Sequence, residues 1–439
     1  MTMLWCELAW LGGDRAEAGV VVEIEGDRIG AVARSECVPD GAERLAGVTI
    51  PGFANAHSHA FQRALRARAE TGRGSFWTWR EQMYELAGRL DPESYLRLAR
   101  ATFAEMALAG ITVVGEFHYL HHRQDGGAYD DPNAMGLAVV QAAAEAGVRI
   151  TLIDACYLRG GFDQEASAVQ RSFSDGTAAA WGERVSALAS GPALRIGAAI
   201  HSVRAVDPES AALVAAWARE RGAPLHAHVS EQPAENEACR ATHGVTPTAL
   251  LDSAAALSPE FTAVHATHVT DDDVALLGGA RATCCMCPTT ERALADGIGG
   301  AARLRAAGAR LALGSDSQAV IDLFEEARAV ELDERLATGE RGHHSAPELL
   351  RMATSDGYAS LGWPEGGRIE AGALADLATV SLSSVRLAGT PSDRTVDGLV
   401  YAATSADVTD VMVSGRWIVH DRHHLSVDVP TELERAVSG

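Results

Sequence analysis

From Pro51 to about Leu361, short apolar runs alternate with longer stretches in which alanine and leucine recur at helical spacing. The runs predict eight strands, ending near His59, Tyr119, Tyr157, Ser202, Val229, Val269, Pro288 and Ser315. Helices are predicted between them, among others over Glu93–Leu108, Pro208–Arg221 and Asp322–Leu336. Buried strands separated by amphipathic helices predict an α/β fold with a parallel sheet covered by helices. Eight such units over roughly 300 residues fit a (β/α)8 TIM barrel; a doubly wound open sheet is the alternative. Both ends of the chain have a different texture. Gly19–Ile24, a Glu25-Gly26-Asp27 turn and Arg28–Val32 read as a hairpin, and Gly372–Val380 and Val411–Val419 read as sheet. The expected organisation is a barrel over residues 51–362, with residues 1–50 and 363–439 sharing a small β domain.

Composition narrows the chemistry. The net charge of -22 argues against nucleic acid and against an anionic membrane surface as partners. All 37 basic residues are arginine, which excludes a lysine Schiff base, a P-loop lysine and a carbamylated lysine between two metals. Seven cysteines, at 6, 37, 156, 239, 284, 285 and 287, form no evident disulfide framework, so a reducing compartment is expected. Met1–Leu11 contains Glu7 and no basic segment, and is a poor signal peptide. No apolar run approaches membrane-spanning length. The expected location is the cytoplasm.

The polar residues fall where barrel active sites are built, at carboxyl ends of strands. Strand 1 ends in His57 and His59, two apart and therefore on one side. Strand 5 carries His226 and His228, followed by Glu231; strand 6 carries His265; strand 8 ends in Asp316. Imidazole nitrogens and a carboxylate suit Zn²⁺ or a similar divalent ion. His57, His59, His228 and Asp316 form the expected ligand set, and an ion held there would lower the pKa of a bound water. Asp316 is positioned to take that water's proton, His265 to hold it in line, and Glu231 to carry protons to a leaving nitrogen. His226 sits deeper and reads as structural. His268, His343, His344, His423 and His424 read as loop or surface residues, and Cys284-Cys285-Met286-Cys287 as core packing.

Taken together, these residues resemble the amidohydrolase superfamily, as does Gly372-x-x-Ala375-Asp376-Leu377 near the C-terminus. The resemblance covers nearly the whole chain. It implies a terminal β-sandwich built from both ends, a metal-dependent catalytic barrel and a homodimer, the commonest state of soluble enzymes. The absent lysine and the His228-x-x-Glu231 spacing are similar to the mononuclear deaminases, where the strand-6 histidine, here His265, is catalytic rather than a ligand. Further motifs resemble the formimidoylglutamate deiminases: His57-Ser58-His59-Ala60-Phe61-Gln62-Arg63-Ala64, Ser75-Phe76-Trp77-Thr78-Trp79-Arg80-Glu81, Glu116-Phe117-His118-Tyr119 and Cys287-Pro288-Thr289-Thr290-Glu291. That family hydrolyses N-formimino-L-glutamate to N-formyl-L-glutamate and ammonia in histidine degradation. The resemblance implies Arg80 and Arg204 as substrate-binding cations, with Gln62, Tyr119 and His201 as hydrogen-bonding partners. A substrate with two carboxylates calls for cations that stay charged, and Arg offers a two-pronged fork. Taken singly, each arginine reads as a surface salt bridge in a chain with 59 acids. Trp77 and Trp79 read as packed aromatics that position Arg80. The other readings are a superfamily deaminase acting on guanine, cytosine or an adenosine derivative, and a catalytically silent metal-binding scaffold.

Overall fold

The computed structural model describes residues 2–68 and 76–438. Eight parallel strands, each paired only with its neighbours in chain order, form the central sheet. They are β1 (Phe53–Ser58), β2 (Ile111–His118), β3 (Arg149–Cys156), β4 (Leu194–Ile200), β5 (Leu225–Val229), β6 (Phe261–His265), β7 (Thr283–Met286) and β8 (Arg310–Leu313). Every residue of β1, β2 and β3 is buried, which is why these strands read as apolar runs rather than alternating ones. The barrel closes where the segment after β8 meets β1. The Asp316 N–H donates to the His57 carbonyl at 3.0 Å, and the His59 N–H donates to the Asp316 carbonyl at 3.1 Å. The Asn55 amide ties the same seam, donating to Ser315 Oγ at 2.6 Å and accepting the Ser315 N–H at 2.9 Å. Gly314 is required here, because a Cβ would lie 2.7 Å from the Cβ of His57.

All eight expected strands are present, with two boundaries displaced. Strand β6 stops at His265 rather than near Val269. His265 and Ala266 both take left-handed φ values, 68° and 50°, which turn the chain out of the sheet. Pro288, expected as a strand end, opens the helix Pro288–Leu294, where its missing N–H costs nothing. The helices Pro92–Leu108, Pro208–Arg221 and Leu323–Thr338 lie where the periodicity placed them.

The two ends share a second sheet of eight strands with its own apolar core, which includes Leu4, Val22, Ile29 and Leu377. Its strands from the chain start are Thr2–Ala9, Glu17–Glu25, Arg28–Arg34 and Glu43–Pro51. Those from the chain end are Leu377–Val380, Val408–Val413, Arg416–His420 and His423–His424. Val411–Val419 is thus two strands with a turn at Ser414-Gly415, not one, and within Gly372–Asp376 the chain makes an isolated antiparallel bridge, Leu374 to Arg28, rather than a strand. The helix Val429–Ser438 returns to the barrel, where Arg100 of the helix Pro92–Leu108 pairs with Glu432. The buried Asp376 joins the two layers. Its carboxylate accepts from Arg149 of β3 at 2.7 Å, from the Tyr358 hydroxyl at 2.9 Å and from the Ser414 N–H at 2.7 Å. Removing that acid would strand a buried guanidinium.

Candidate active site

His57, His59, His228 and Asp316 converge at the carboxyl end of the barrel, and all four are buried. His57 Nε2 lies 3.2 Å from His228 Nε2 and 3.2 Å from Asp316 Oδ1. His59 Nε2 lies 3.4 Å from His228 Nε2 and 3.5 Å from Asp316 Oδ1. Four donors about 2.1 Å from one ion at tetrahedral angles stand roughly 3.4 Å apart, so these spacings fit a single small divalent cation. The tautomers fit as well. Nδ1 of His59 faces the Phe117 carbonyl at 2.9 Å, and Nδ1 of His228 faces the His201 carbonyl at 2.9 Å. A carbonyl only accepts, so each proton sits on Nδ1 and each Nε2 lone pair points into the centre. Burial keeps the imidazoles neutral: His59 is lowered to about 3, and His57 and His228 are also lowered. Burial acts to raise Asp316, but the hydrogen bond from His57 and the charged His265 nearby outweigh it and hold the carboxyl well below its usual range.

Beside this donor set stand His265 and Glu231. His265 Nε2 is 3.9 Å from Asp316 Oδ2 and 3.8 Å from Glu231 Oε1. Burial opposes the charged imidazole, but the carboxylates of Glu231 and Glu291 overcome it and raise His265 well above its ordinary value. Burial raises Glu231 to about 7. Left-handed φ values cluster in this region, at Ser230 (52°), His265 (68°) and Asp316 (44°), as strained backbone often does at functional sites.

The expected substrate residues lie in the same cleft, which encloses about 650 Å³ of free space, part of it open to solvent. Gln62, Arg80, Tyr119, His201 and Arg204 line it together with His59, His228, Glu231, His265 and Asp316. Gln62 Nε2 donates to the Tyr119 hydroxyl at 3.2 Å. The partly buried Arg204 pairs with the buried Glu235 at 3.4 Å, so the salt-bridge reading and the cleft position both hold for it. Arg80 has no carboxylate partner among the described residues; its guanidinium lies 4.5 Å over Trp77 and 5.5 Å over Tyr84. Trp79 lines the cleft and Trp77 is largely exposed. Ser75, the first residue of that motif, lies outside the described residues.

A model of the amidohydrolase family matches residues 48–418. The chain belongs to the amidohydrolase family. It is 37% identical to a formimidoylglutamate deiminase from Pseudomonas aeruginosa, covering 97% of this chain and 96% of that one. It is 30% identical to a 5-methylthioadenosine/S-adenosylhomocysteine deaminase from Pelotomaculum thermopropionicum, over 93% of this chain and 90% of that one. Among solved structures, an amidohydrolase from Brucella melitensis superposes with a TM-score of 0.92 at 32% identity, covering 100% of this chain and 99% of that one.

Within this amidohydrolase, several residues around the site were not singled out by the sequence. Glu291 Oε1 contacts His265 Nδ1 at 3.4 Å; it closes the Cys287–Glu291 motif, but no spacing rule links it to His265. Glu116 accepts from Ser58 Oγ at 2.6 Å and from the Ala60 N–H at 2.7 Å, holding the residues on both sides of His59. Other expectations divide. His226 is buried against the Ser360 carbonyl at 3.2 Å, a structural role. Cys284, Cys285 and Cys287 are buried, the last two in a small cluster with Ala56, Val264 and Ala312. His344 lies in a loop, as expected, but not at the surface: it is 2% exposed, with its N–H on Glu331 and its ring near Glu334, because the helix Leu323–Thr338 folds its acidic face over it. A second buried His and Asp group, His118, His121 and Asp154, already holds a cation, since both Asp154 oxygens bond Arg184. No helix among the described residues is long and apolar enough to cross a membrane.

Proposed function

We propose that this amidohydrolase is a deiminase that hydrolyses N-formimino-L-glutamate to N-formyl-L-glutamate and ammonia. The observation that carries this reading is the pairing of two guanidinium groups, Arg80 and Arg204, with the three-histidine, one-carboxylate donor set in a single cleft. A formimino group needs an activated water, and a glutamate needs two cationic holds. His57, His59, His228 and Asp316 would hold one divalent ion, best matched by Zn²⁺, which supplies a water of lowered pKa.

The chain's own residues then divide the work. His265 orients the attacking water toward the formimino carbon through Nε2, and Asp316 Oδ2 accepts its proton. Glu231, raised to about 7, is suited to hold a proton and pass it to the departing nitrogen. Arg80 and Arg204 bind the carboxylates, with Tyr119, Gln62 and His201 hydrogen-bonding around them. This reading places the chain in histidine degradation, as a cytoplasmic homodimer.

The test is ammonia release by metal-loaded protein from N-formimino-L-glutamate, with guanine and 5-methylthioadenosine as competing substrates. N-guanidino-L-glutamate, which keeps both carboxylates, should bind competitively or react slowly. Release from a purine alone would replace this proposal with a nucleobase or nucleoside deaminase.

A further inference from the structure

Gln170 is 4% exposed and bonds two tyrosines in the wall of the cleft. Its Nε2 donates to the Tyr157 hydroxyl at 2.6 Å and to the Tyr84 hydroxyl at 3.1 Å, with the Gly160 carbonyl at 3.4 Å. Its Oε1 accepts the Ser167 N–H at 2.9 Å. The Ser167 N–H only donates, so it fixes Oε1 on its own side and the nitrogen toward the tyrosines. An amide nitrogen only donates, so neither phenol can give its proton to Gln170; the two N–H groups are directed at the three oxygens of Tyr157, Tyr84 and Gly160. The two phenol oxygens are 3.4 Å apart, and that contact can use one phenolic proton. The other phenolic proton has no acceptor among the described residues.

The cleft wall therefore presents an O–H donor in want of an acceptor. Arg80 stands next to it, its guanidinium 5.5 Å over the Tyr84 ring and without a carboxylate partner among the described residues. Burial pushes the Tyr157 hydroxyl well up from its ordinary value, so it keeps its proton at neutral pH. A group that only accepts, and is negative, satisfies both the donor and the cation. An amine or a purine N–H facing the same wall would meet another donor and leave it unsatisfied.

We propose that Tyr84 and Tyr157, oriented by Gln170, form with Arg80 a subsite for one carboxylate of the substrate and so set the preference for a dicarboxylate. The substrate's identity rests on the deiminase reading above; the subsite rests on the hydrogen-bond directions. Discrimination follows from the same directions. A ligand lacking that carboxylate leaves both the O–H and the guanidinium without a partner.

The test is steady-state kinetics on the metal-loaded enzyme carrying Tyr84→Phe and Tyr157→Phe together, and separately Gln170→Glu. The double variant should raise KM for N-formimino-L-glutamate roughly tenfold or more, with a far smaller fall in kcat. Gln170→Glu leaves both tyrosines in place, but its carboxylate draws their protons away from the cleft and should give a similar KM rise. Two analogues locate the effect: N-formimino-L-norvaline lacks the side-chain carboxylate, and N-formimino-4-aminobutyrate lacks the α-carboxylate. The double variant's penalty should vanish on one of the two. An unchanged KM in either variant, or an equal penalty on both analogues, overturns the subsite. If wild-type protein releases no ammonia from N-formimino-L-glutamate, the deiminase reading fails by itself. Calorimetry with glutarate then decides the subsite: binding weakened roughly tenfold in the double variant supports it, and equal binding, or none by wild type, overturns it.

Discussion

Glu291 Oε1 lies 3.4 Å from His265 Nδ1 and also accepts the Cys287 N–H at 3.0 Å. The carboxylate holds the proton on Nδ1 and so leaves Nε2 facing Glu231 and Asp316. Glu291→Leu removes that hold and should lower kcat roughly 10- to 100-fold, with KM and metal content little changed. Glu291→Gln keeps an acceptor and should lose much less. Kinetics with parallel metal analysis separate the two, and an equal loss in both variants would show that the charge, not the acceptor, is what His265 needs.

Metal content offers a check on the donor set. Purified protein should carry about one divalent ion per chain by elemental analysis, and chelation should abolish turnover and lower Tm, because a ligand bound only by the native state stabilises it. His228→Ala removes one of four donors and should reduce metal content at the same zinc concentration. Full metal content in His228→Ala would remove it from the ligand set.

Glu231→Gln should leave metal content intact, since Glu231 is not among the four converging donors, yet lower turnover by about 100-fold or more. Near-normal turnover would end its role as proton carrier.

The two arginines should respond differently to loss of charge. Arg80→Met should raise KM and leave Tm nearly unchanged, because Arg80 has no carboxylate partner among the described residues. Arg204→Met should raise KM and also lower Tm, because it strands Glu235, whose side chain is 1% exposed. That stability loss is on the order of 2 kcal/mol. Equal Tm values for the two variants would contradict the assignment of the Glu235 pair.

The pH dependence of stability should expose His118. This histidine is fully buried with both ring nitrogens unpartnered among the described residues, and burial lowers it to about 3. An unfolded histidine titrates near 6.5, so below that pH the unfolded chain binds the extra proton. The stability from neutral His118 is fully present above about pH 6.5 and is lost as pH falls toward 3, by about 2 kcal/mol at pH 5. His118→Phe keeps the ring stacked near Tyr95 and should flatten the acid side of a Tm-against-pH curve. Parallel curves for the two proteins would show that His118 is not neutral in the fold.

Much of the barrel, and the residue types that converge at its carboxyl end, was legible in the chain because the signals are local. Buried parallel strands are apolar throughout, and His57 and His59, two apart at a strand end, share a side by the geometry of a strand alone. The end of β6 was not legible, because nothing in Phe261–Val269 announces the left-handed turn at His265. Nor was the burial of His344, which depends on a helix elsewhere in the chain folding over it.

By itself the sequence determined the period of the elements, the donor types and the absence of lysine, since each is a property of a residue and its near neighbours. Only the tertiary structure decided which of those donors meet. Asp316 reaches His57 because the barrel closes between β8 and β1, and Gln170 reaches Tyr84 across 86 residues of chain because two separate segments line one cleft. Hydrogen-bond direction was decided at the same level. Which way the Gln170 amide faces depends on Gly160 and Ser167 closing around it, and a partner set assembled by packing leaves no periodic trace in the chain.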